Sequence, residues 1–98
     1  MNTSSCPLSD IYSKVVYFHE NPQKEVHCSK KLRKKPKYIR CKPVEEASEL
    51  AAAFQKDDIE EIIEEAGDLL YYTIILLVYR EIELESVCDR ILAKRFSS

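Results

Sequence analysis

Residues 58–80, which read DIEEIIEEAGDLLYYTIILLVYR, decide the fold. In the first half of this stretch the apolar residues recur at steps of three and four, which is the period of a helix with one buried face. From Leu69 to Tyr79 the sequence carries no charge for eleven residues, and nearly every position is apolar. Because a membrane span needs about 20 such residues, we expect a long helix whose second half is covered by protein on all sides.

Three further segments show the helical period, and no segment shows the alternation of a strand flanked by turn residues. Ser5 is placed to cap the first of these helices, Pro43 suits the start of the second, and Asp57 or Asp58 is placed to cap the long helix. We therefore predict an all-α fold, resembling a four-helix bundle, in a single domain over residues 1–98. The three additional helices are predicted over residues 8–19, 44–54 and 84–96.

The charges are separated along the chain. Residues 24–42 hold nine basic residues and one acid, whereas residues 45–68 hold ten acids and one base. The formal net charge of −2 argues against general nucleic-acid binding. We interpret residues 23–42 as a basic loop containing a short helical piece, with His27 as a surface residue of that loop.

Composition excludes several other classes. A single glycine cannot form a Gly-rich phosphate loop. The first residues, MNTSSCPLSDI, have neither the basic nor the apolar region of a secretion signal, and the four cysteines lack CxxC spacing. These features favour a cytoplasmic protein with reduced thiols, without a membrane partner.

The long helix is too apolar for its neighbours to cover. Three short helices cannot bury an apolar surface that extends around the whole second half of residues 58–80. We therefore predict an obligate dimer or a higher assembly of this chain, a homodimer or a homotetramer.

Two pairs of carboxylates carry the candidate chemistry. Glu46 with Glu49, and Glu65 with Asp68, are each three residues apart and therefore neighbours on a helix surface. A short turn near Lys56 makes their two helices antiparallel, so the pairs face each other at a similar height. At ~4 Å, each pair of like charges costs about 4 kcal/mol at an effective dielectric constant of about 20. A cation would relieve this repulsion, and oxygen ligands alone favour Mg²⁺ first and Mn²⁺ second.

The alternative interpretation is a solvated acidic face, which is the usual role of acids on a helix. Glu60, Glu61 and Glu64 fit that role. Glu65 and Asp68 differ because they border the most apolar part of the chain, where an unpaired charge is costly. The small residues Ala66 and Gly67 between them remove bulk and are expected to allow close approach.

The carboxylates also carry a resemblance to a known family. The pattern Glu45-Glu46-x-x-Glu49, then fifteen residues, then Glu65-x-x-Asp68 is similar to the signature of the all-α nucleotide pyrophosphohydrolases. That superfamily includes MazG-type enzymes, dimeric dUTPases and phosphoribosyl-ATP pyrophosphatases. The stretches EAGDLLYY at residues 65–72 and IELESV at residues 82–87 most resemble the last of these, an enzyme of histidine biosynthesis.

The resemblance is strong from Lys42 onward and weaker before it. Where these pyrophosphatases usually carry Ser-Tyr-Thr, this chain has His27-Cys28-Ser29. Where they commonly carry a histidine after the Leu-Tyr of the long helix, this chain has Tyr72. The metal half of the pattern is therefore present, whereas the substrate half is altered.

The resemblance implies a set of roles. It implies that Glu46, Glu49, Glu65 and Asp68 bind Mg²⁺, and that Glu45, or one of these ligands, orients and deprotonates the attacking water as a general base. The basic residues would supply positive charge for the polyphosphate of a nucleotide substrate. The candidates are Lys42, Arg40, Lys35, Arg33 and Arg95.

Three functional hypotheses follow. The favoured one is hydrolysis of phosphoribosyl-ATP to phosphoribosyl-AMP and pyrophosphate. The second is a MazG-like enzyme that hydrolyses canonical or damaged nucleoside triphosphates. The third is a non-catalytic helical dimer whose basic loop binds nucleic acid or another acidic partner.

Overall fold

The structure, a computed structural model, describes residues 7–97. Those residues form helices and connecting turns without a strand, which confirms the all-α prediction. Ser5, the predicted cap of the first helix, lies outside the described residues. The helices are α1 (Leu8–Glu20), α2 (His27–Leu32), α3 (Pro36–Ile39), α4 (Lys42–Gln55), α5 (Ile59–Tyr79) and α6 (Leu84–Arg95).

The turn between α4 and α5 sets the antiparallel pairing of these helices. The backbone N–H groups of Asp57 and Asp58 donate to the carbonyls of Phe54 and Ala53 at 3.1 and 3.2 Å, and Asp57 adopts the left-handed conformation with φ 57°. The Asp58 side chain accepts a hydrogen bond from the Glu61 backbone N–H at 3.2 Å. The structure therefore identifies Asp58, and not Asp57, as the cap of α5.

The hydrophobic core lies on the C-terminal half of α5. Ile75 is fully buried there, and α1 and α2 pack against this half of the helix. The core therefore covers one side of α5, whereas Leu70 on another side remains half exposed. The buried cluster consists of Val15, Cys28, Leu32, Ile39, Tyr72, Ile74, Ile75 and Val78.

The basic segment is more ordered than the sequence predicts, because residues 23–42 contain two short helices, α2 and α3. Short helices are marginal alone, and tertiary hydrogen bonds hold these two. The buried Ser29 hydroxyl donates to the Phe18 carbonyl at 3.0 Å and accepts from the Gln23 N–H at 3.1 Å. The Tyr79 hydroxyl donates to the Lys34 carbonyl at 2.9 Å, which fixes the link between α2 and α3 to the C-terminal end of α5.

The last helix contributes little to this core. No residue of α6 is buried, and Leu92 and Phe96 expose 60% and 76% of their surface. The turn before α6 is tied to α1, since the Tyr12 hydroxyl donates to the Ile82 carbonyl at 2.7 Å. The four predicted helices are thus all present, but α6 projects without burying its apolar stripe.

The helices and the cysteines can be compared with what the composition predicts about membranes and thiols. None of the helices within residues 7–97 combines the length and the hydrophobicity needed to span a bilayer. Cys28, Cys41 and Cys88 are free cysteines.

The cap of α5 gives a test of the fold. We expect Asp58→Ala to lower the free energy of unfolding by about 1 kcal/mol, because the Glu61 N–H loses its acceptor. The change is measured by urea denaturation at one fixed protein concentration. Asp57→Gly is the matched control, because glycine adopts a positive φ without strain, and it should leave stability unchanged or raise it. Equal losses in the two variants would contradict the assignment of the cap.

Candidate metal and substrate site

Three carboxylates from two helices converge on one point. Glu46 and Glu49 on α4 face Glu65 on α5, and one carboxylate oxygen from each lies within 4.8 Å of the other two. The antiparallel hairpin produces this meeting, since residues at similar distances from the turn lie opposite each other. The spacing argument from the sequence therefore brings together three of the four predicted metal ligands. We call Glu46, Glu49 and Glu65 the carboxylate cluster.

Asp68 lies beside the cluster without joining it. Its oxygens are outside the group of three that meet, but its charge is close enough to raise the pKa of Glu46. Asp68 is one helical turn beyond Glu65, and it is half-buried. It extends the negative charge of the cluster toward the core.

The cluster is partly shielded from solvent. Glu46 is buried, with 8% of its surface exposed. The Oε1 atom of Glu65 is inaccessible and has no hydrogen-bond partner among the described residues. A buried carboxylate oxygen without a partner is costly, so this atom requires a proton or a cation.

The pKa values of Glu65 and Glu46 are also raised by their crowded, partly buried surroundings. Hydrogen bonding to Glu49, burial and the charges of Glu49 and Glu46 raise the pKa of Glu65 to about 7. Burial, reinforced by the charges of Glu49 and Asp68, raises the pKa of Glu46. Without a cation, the cluster therefore retains a proton near neutral pH. A donor set made only of carboxylate oxygens suits a hard divalent cation, so the residues present fit a metal ion.

Glu45, the predicted general base, lies outside the carboxylate cluster. It is exposed and forms an ion pair with Lys42, with 3.4 Å between Nζ and Oε1. It is not among the three residues whose oxygens converge.

Lys42 links the basic segment to the acidic one. Its Nζ atom lies 5.3 Å from the ring centroid of Tyr72, while its ion pair with Glu45 holds it at the start of α4. Tyr72 is buried. Burial raises the pKa of its hydroxyl, the charge of Lys42 lowers it, and the charges of Glu46 and Asp68 raise it. Of the five predicted substrate-binding residues, Lys42 is the one that the structure places beside the carboxylates.

The other four predicted substrate-binding residues lie elsewhere in the described chain. Arg33 and Lys35 are exposed around the link that is hydrogen-bonded to Tyr79. Tyr79 is fourteen residues beyond Glu65, which is about 20 Å along a helix. Arg40 lines a cleft of about 180 Å³ with Leu76 and Tyr79. The fourth, Arg95, is exposed at the end of α6.

His27 lies near the site, which the sequence does not reveal. Its Nδ1 atom lies 2.8 Å from the Tyr71 hydroxyl, and its ring centroid lies 5.5 Å from that of Tyr71 and 6.3 Å from that of Tyr72. The residue is exposed, as predicted, but its ring is held against α5. Because 44 residues separate the two partners, no spacing rule could have found this contact.

The expected role of Gly67 is wrong. Among residues 7–97, no atom would lie within 4 Å of a Cβ atom at this position, so no described element approaches the glycine closely.

Comparison with known proteins adds the family. The model of the phosphoribosyl-ATP pyrophosphohydrolase family matches residues 14–95. A phosphoribosyl-ATP pyrophosphatase of Clostridium acetobutylicum is 32% identical over 88 residues, covering 90% of this chain and 79% of that protein. The corresponding enzyme of Geotalea daltonii is 32% identical over 89 residues, covering 91% and 83%.

A longer relative also matches. The histidine biosynthesis bifunctional protein HisIE of Thermosynechococcus vestitus is 31% identical over 88 residues, which is 90% of this chain and 41% of the relative. The chain thus spans about two fifths of the length of that bifunctional protein. Because the family model extends from α1 to the end of α6 and includes the whole carboxylate cluster, the chain belongs to the phosphoribosyl-ATP pyrophosphohydrolase family.

Proposed function

We propose that this chain is a divalent-metal-dependent pyrophosphatase that hydrolyses phosphoribosyl-ATP to phosphoribosyl-AMP and pyrophosphate in histidine biosynthesis. The observation that carries the proposal is the carboxylate cluster with its unpartnered oxygen on Glu65, in a chain of this family. The relatives named phosphoribosyl-ATP pyrophosphatase support the choice of substrate. The free thiols are in keeping with a cytoplasmic enzyme, which we also propose.

Glu46, Glu49 and Glu65 would hold the metal ion, with Asp68 as a fourth carboxylate, and we propose Mg²⁺ with Mn²⁺ as a substitute. A bound Mg²⁺ would neutralise charge on the phosphate oxygens and on the departing pyrophosphate. Lys42 supplies positive charge at the edge of the cluster. Glu45 is exposed beside Lys42, where we propose that it accepts a proton from the attacking water.

The MazG-like alternative shares the carboxylates and differs in the substrate. The altered basic segment favours this alternative. Residues 27–29, at the start of α2, read His-Cys-Ser, where phosphoribosyl-ATP pyrophosphatases usually carry Ser-Tyr-Thr. Pyrophosphate release from phosphoribosyl-ATP and from a panel of nucleoside triphosphates, each with Mg²⁺, separates the two. Faster turnover of a triphosphate would support the alternative, and no turnover of any nucleotide would support a non-catalytic dimer.

The carboxylates give the first functional prediction. We expect Glu49→Gln and Asp68→Asn each to lower the rate of pyrophosphate release by roughly a hundredfold or more, because each removes a charge that balances the metal ion. The matched control is Glu60→Gln, an exposed carboxylate on the same helix as Asp68, which should keep full activity. Far-ultraviolet circular dichroism checks that the variants are folded. Full activity in Glu49→Gln or in Asp68→Asn would exclude that residue from the site.

The raised pKa of Glu65 predicts how metal binding depends on pH. In the metal-free fold this pKa is raised from 4.5 to about 7, so folding favours the protonated group. Protonated Glu65 therefore stabilises the folded state fully at pH values below its pKa in the unfolded chain. This stabilisation is lost as the pH rises through about 7. A cation competes with that proton.

We therefore expect Mg²⁺ to raise the melting temperature more at about pH 8 than at about pH 5.5. Thermal denaturation with and without Mg²⁺ measures the difference. Glu65→Gln should abolish the pH dependence of the shift, while Glu60→Gln should keep it. An equal shift at the two pH values would show that the proton and the metal ion do not compete at Glu65.

We propose also that two copies of the chain associate through the apolar surface that one copy leaves exposed. Ile59, Ile63 and Leu70 are separated by four and seven residues, so they share one face of α5, and they expose 64%, 62% and 51% of their surface. Glu65 and Asp68 lie on the opposite face by the same helical geometry. The last helix, α6, adds the exposed side chains of Ile91 and Leu92. The apolar area that is exposed together is larger than the scattered apolar residues on the surface of an ordinary monomer.

The association is tested by sedimentation equilibrium. At micromolar concentration we expect a mass of at least twice 11.4 kDa. Leu70→Glu should shift the mass toward that of one chain, or unfold the protein if the monomer is unstable, whereas Glu60→Gln should leave the mass unchanged. A wild-type protein that sediments as a single chain would overturn this part of the proposal, whatever the result with the variant.

A further inference from the structure

His27 is fixed in place by groups from another helix. Its Nδ1 atom lies 2.8 Å from the hydroxyl of Tyr71, and its ring also lies edge-on to Tyr72. The same Tyr72 ring lies 5.3 Å from the Lys42 ammonium. His27, Tyr72 and Lys42 therefore form a continuous rim between the basic segment and Asp68, whose charge also reaches His27.

The hydrogen bond to Tyr71 is linked to the tautomer of the His27 ring, because Nδ1 accepts from the phenol only when the ring proton is on Nε2. Burial raises the pKa of the Tyr71 hydroxyl, so this group keeps its hydrogen. Within residues 7–97, His27 Nδ1 is the hydrogen-bond partner of that hydroxyl. With the phenol as donor, Nδ1 accepts and the proton of the neutral imidazole resides on Nε2.

The charges around His27 keep the ring neutral. Burial lowers its pKa, and the charges of Lys31, Lys30 and Lys42 lower it further, against a smaller opposite effect of Asp68. The ring thus presents one N–H donor in surroundings with three ammonium groups. A donor among cations is suited to an anion, and the neighbouring carboxylate cluster repels anions unless such groups compensate.

We propose that His27 is a substrate-binding residue whose Nε2–H donates a hydrogen bond to a phosphate oxygen of the nucleotide bound at the carboxylate cluster, alongside Lys42. This proposal rests on the proposed function, because it concerns the substrate of the same site. The competing possibility is that the contact between His27 and Tyr71 only joins α2 to α5. A structural contact would alter stability, whereas a substrate contact alters KM.

Three variants distinguish these possibilities when KM and kcat for phosphoribosyl-ATP are measured. We expect His27→Ala to raise KM by about tenfold or more while kcat changes by less than about threefold. His27→Gln should recover much of the loss, since its amide N–H can replace the imidazole donor. The control is His19→Ala, which removes the other histidine of the chain, exposed near the end of α1, and should match the wild type.

A KM for His27→Ala equal to that of the wild type would overturn the inference. A fall in kcat and in melting temperature without a rise in KM, not restored in His27→Gln, would also overturn it in favour of a structural contact. These outcomes are read only against wild-type turnover. If the wild type releases no pyrophosphate from phosphoribosyl-ATP, the proposed function fails instead.

A binding measurement tests His27 independently of turnover. Titration of inorganic pyrophosphate into the Mg²⁺-loaded protein by calorimetry should show weaker binding to His27→Ala than to the wild type and to His19→Ala. Long-range proton–nitrogen spectra of the imidazole should show the proton on Nε2, with a shift of that nitrogen on adding pyrophosphate. Equal affinities, or a proton on Nδ1, would overturn the inference.

Discussion

Repulsion among three carboxylates held on facing helices is the constraint on which this molecule depends. The hairpin of α4 and α5 places Glu46, Glu49 and Glu65 with their oxygens within 4.8 Å of one another, where separate acids would move apart. They cannot do so freely because α5 is anchored by its buried C-terminal half, with Ile75 fully enclosed. The packing of one half of α5 thus holds the other half in an arrangement that needs a proton or a cation.

The two halves of α5 also explain why the charges are separated along the sequence. The acidic half faces α4, while the apolar half supports the basic segment through the core residues of α2 and α3 and the bond from Tyr79 to the link between these two helices. The chain then returns to the acidic half through Lys42 at the start of α4, and His27 meets α5 at Tyr71, three residues beyond Asp68. One cation of the basic segment, Lys42, is thereby placed beside the carboxylates, as the proposed metal ion and phosphate chain together require.

Regular spacing accounts for what the sequence could predict. The steps of three and four residues gave α5 and the facing of Glu46 and Glu49 toward Glu65, because helical geometry converts spacing into position. Spacing could not choose between Asp57 and Asp58 as the cap, since the choice depends on the backbone of the turn. Of the basic segment it predicted one short helical piece, but not the two helices α2 and α3 or the contact between His27 and Tyr71, which depend on partners far away in the sequence. The expectation for Gly67 failed because a small residue removes bulk only where another element is near.

The position of α6 connects assembly with the site. Within one chain this helix buries no residue. Its N-terminal end is linked to α1 by the hydrogen bond from Tyr12 to Ile82, but little fixes the position of its C-terminal end. Arg95 is at that end, and its distance from any carboxylate cluster is therefore set by whatever covers the apolar stripe of α6. If a second copy of the chain provides that cover, as we propose, the same packing that removes apolar surface from water also determines which site this arginine serves.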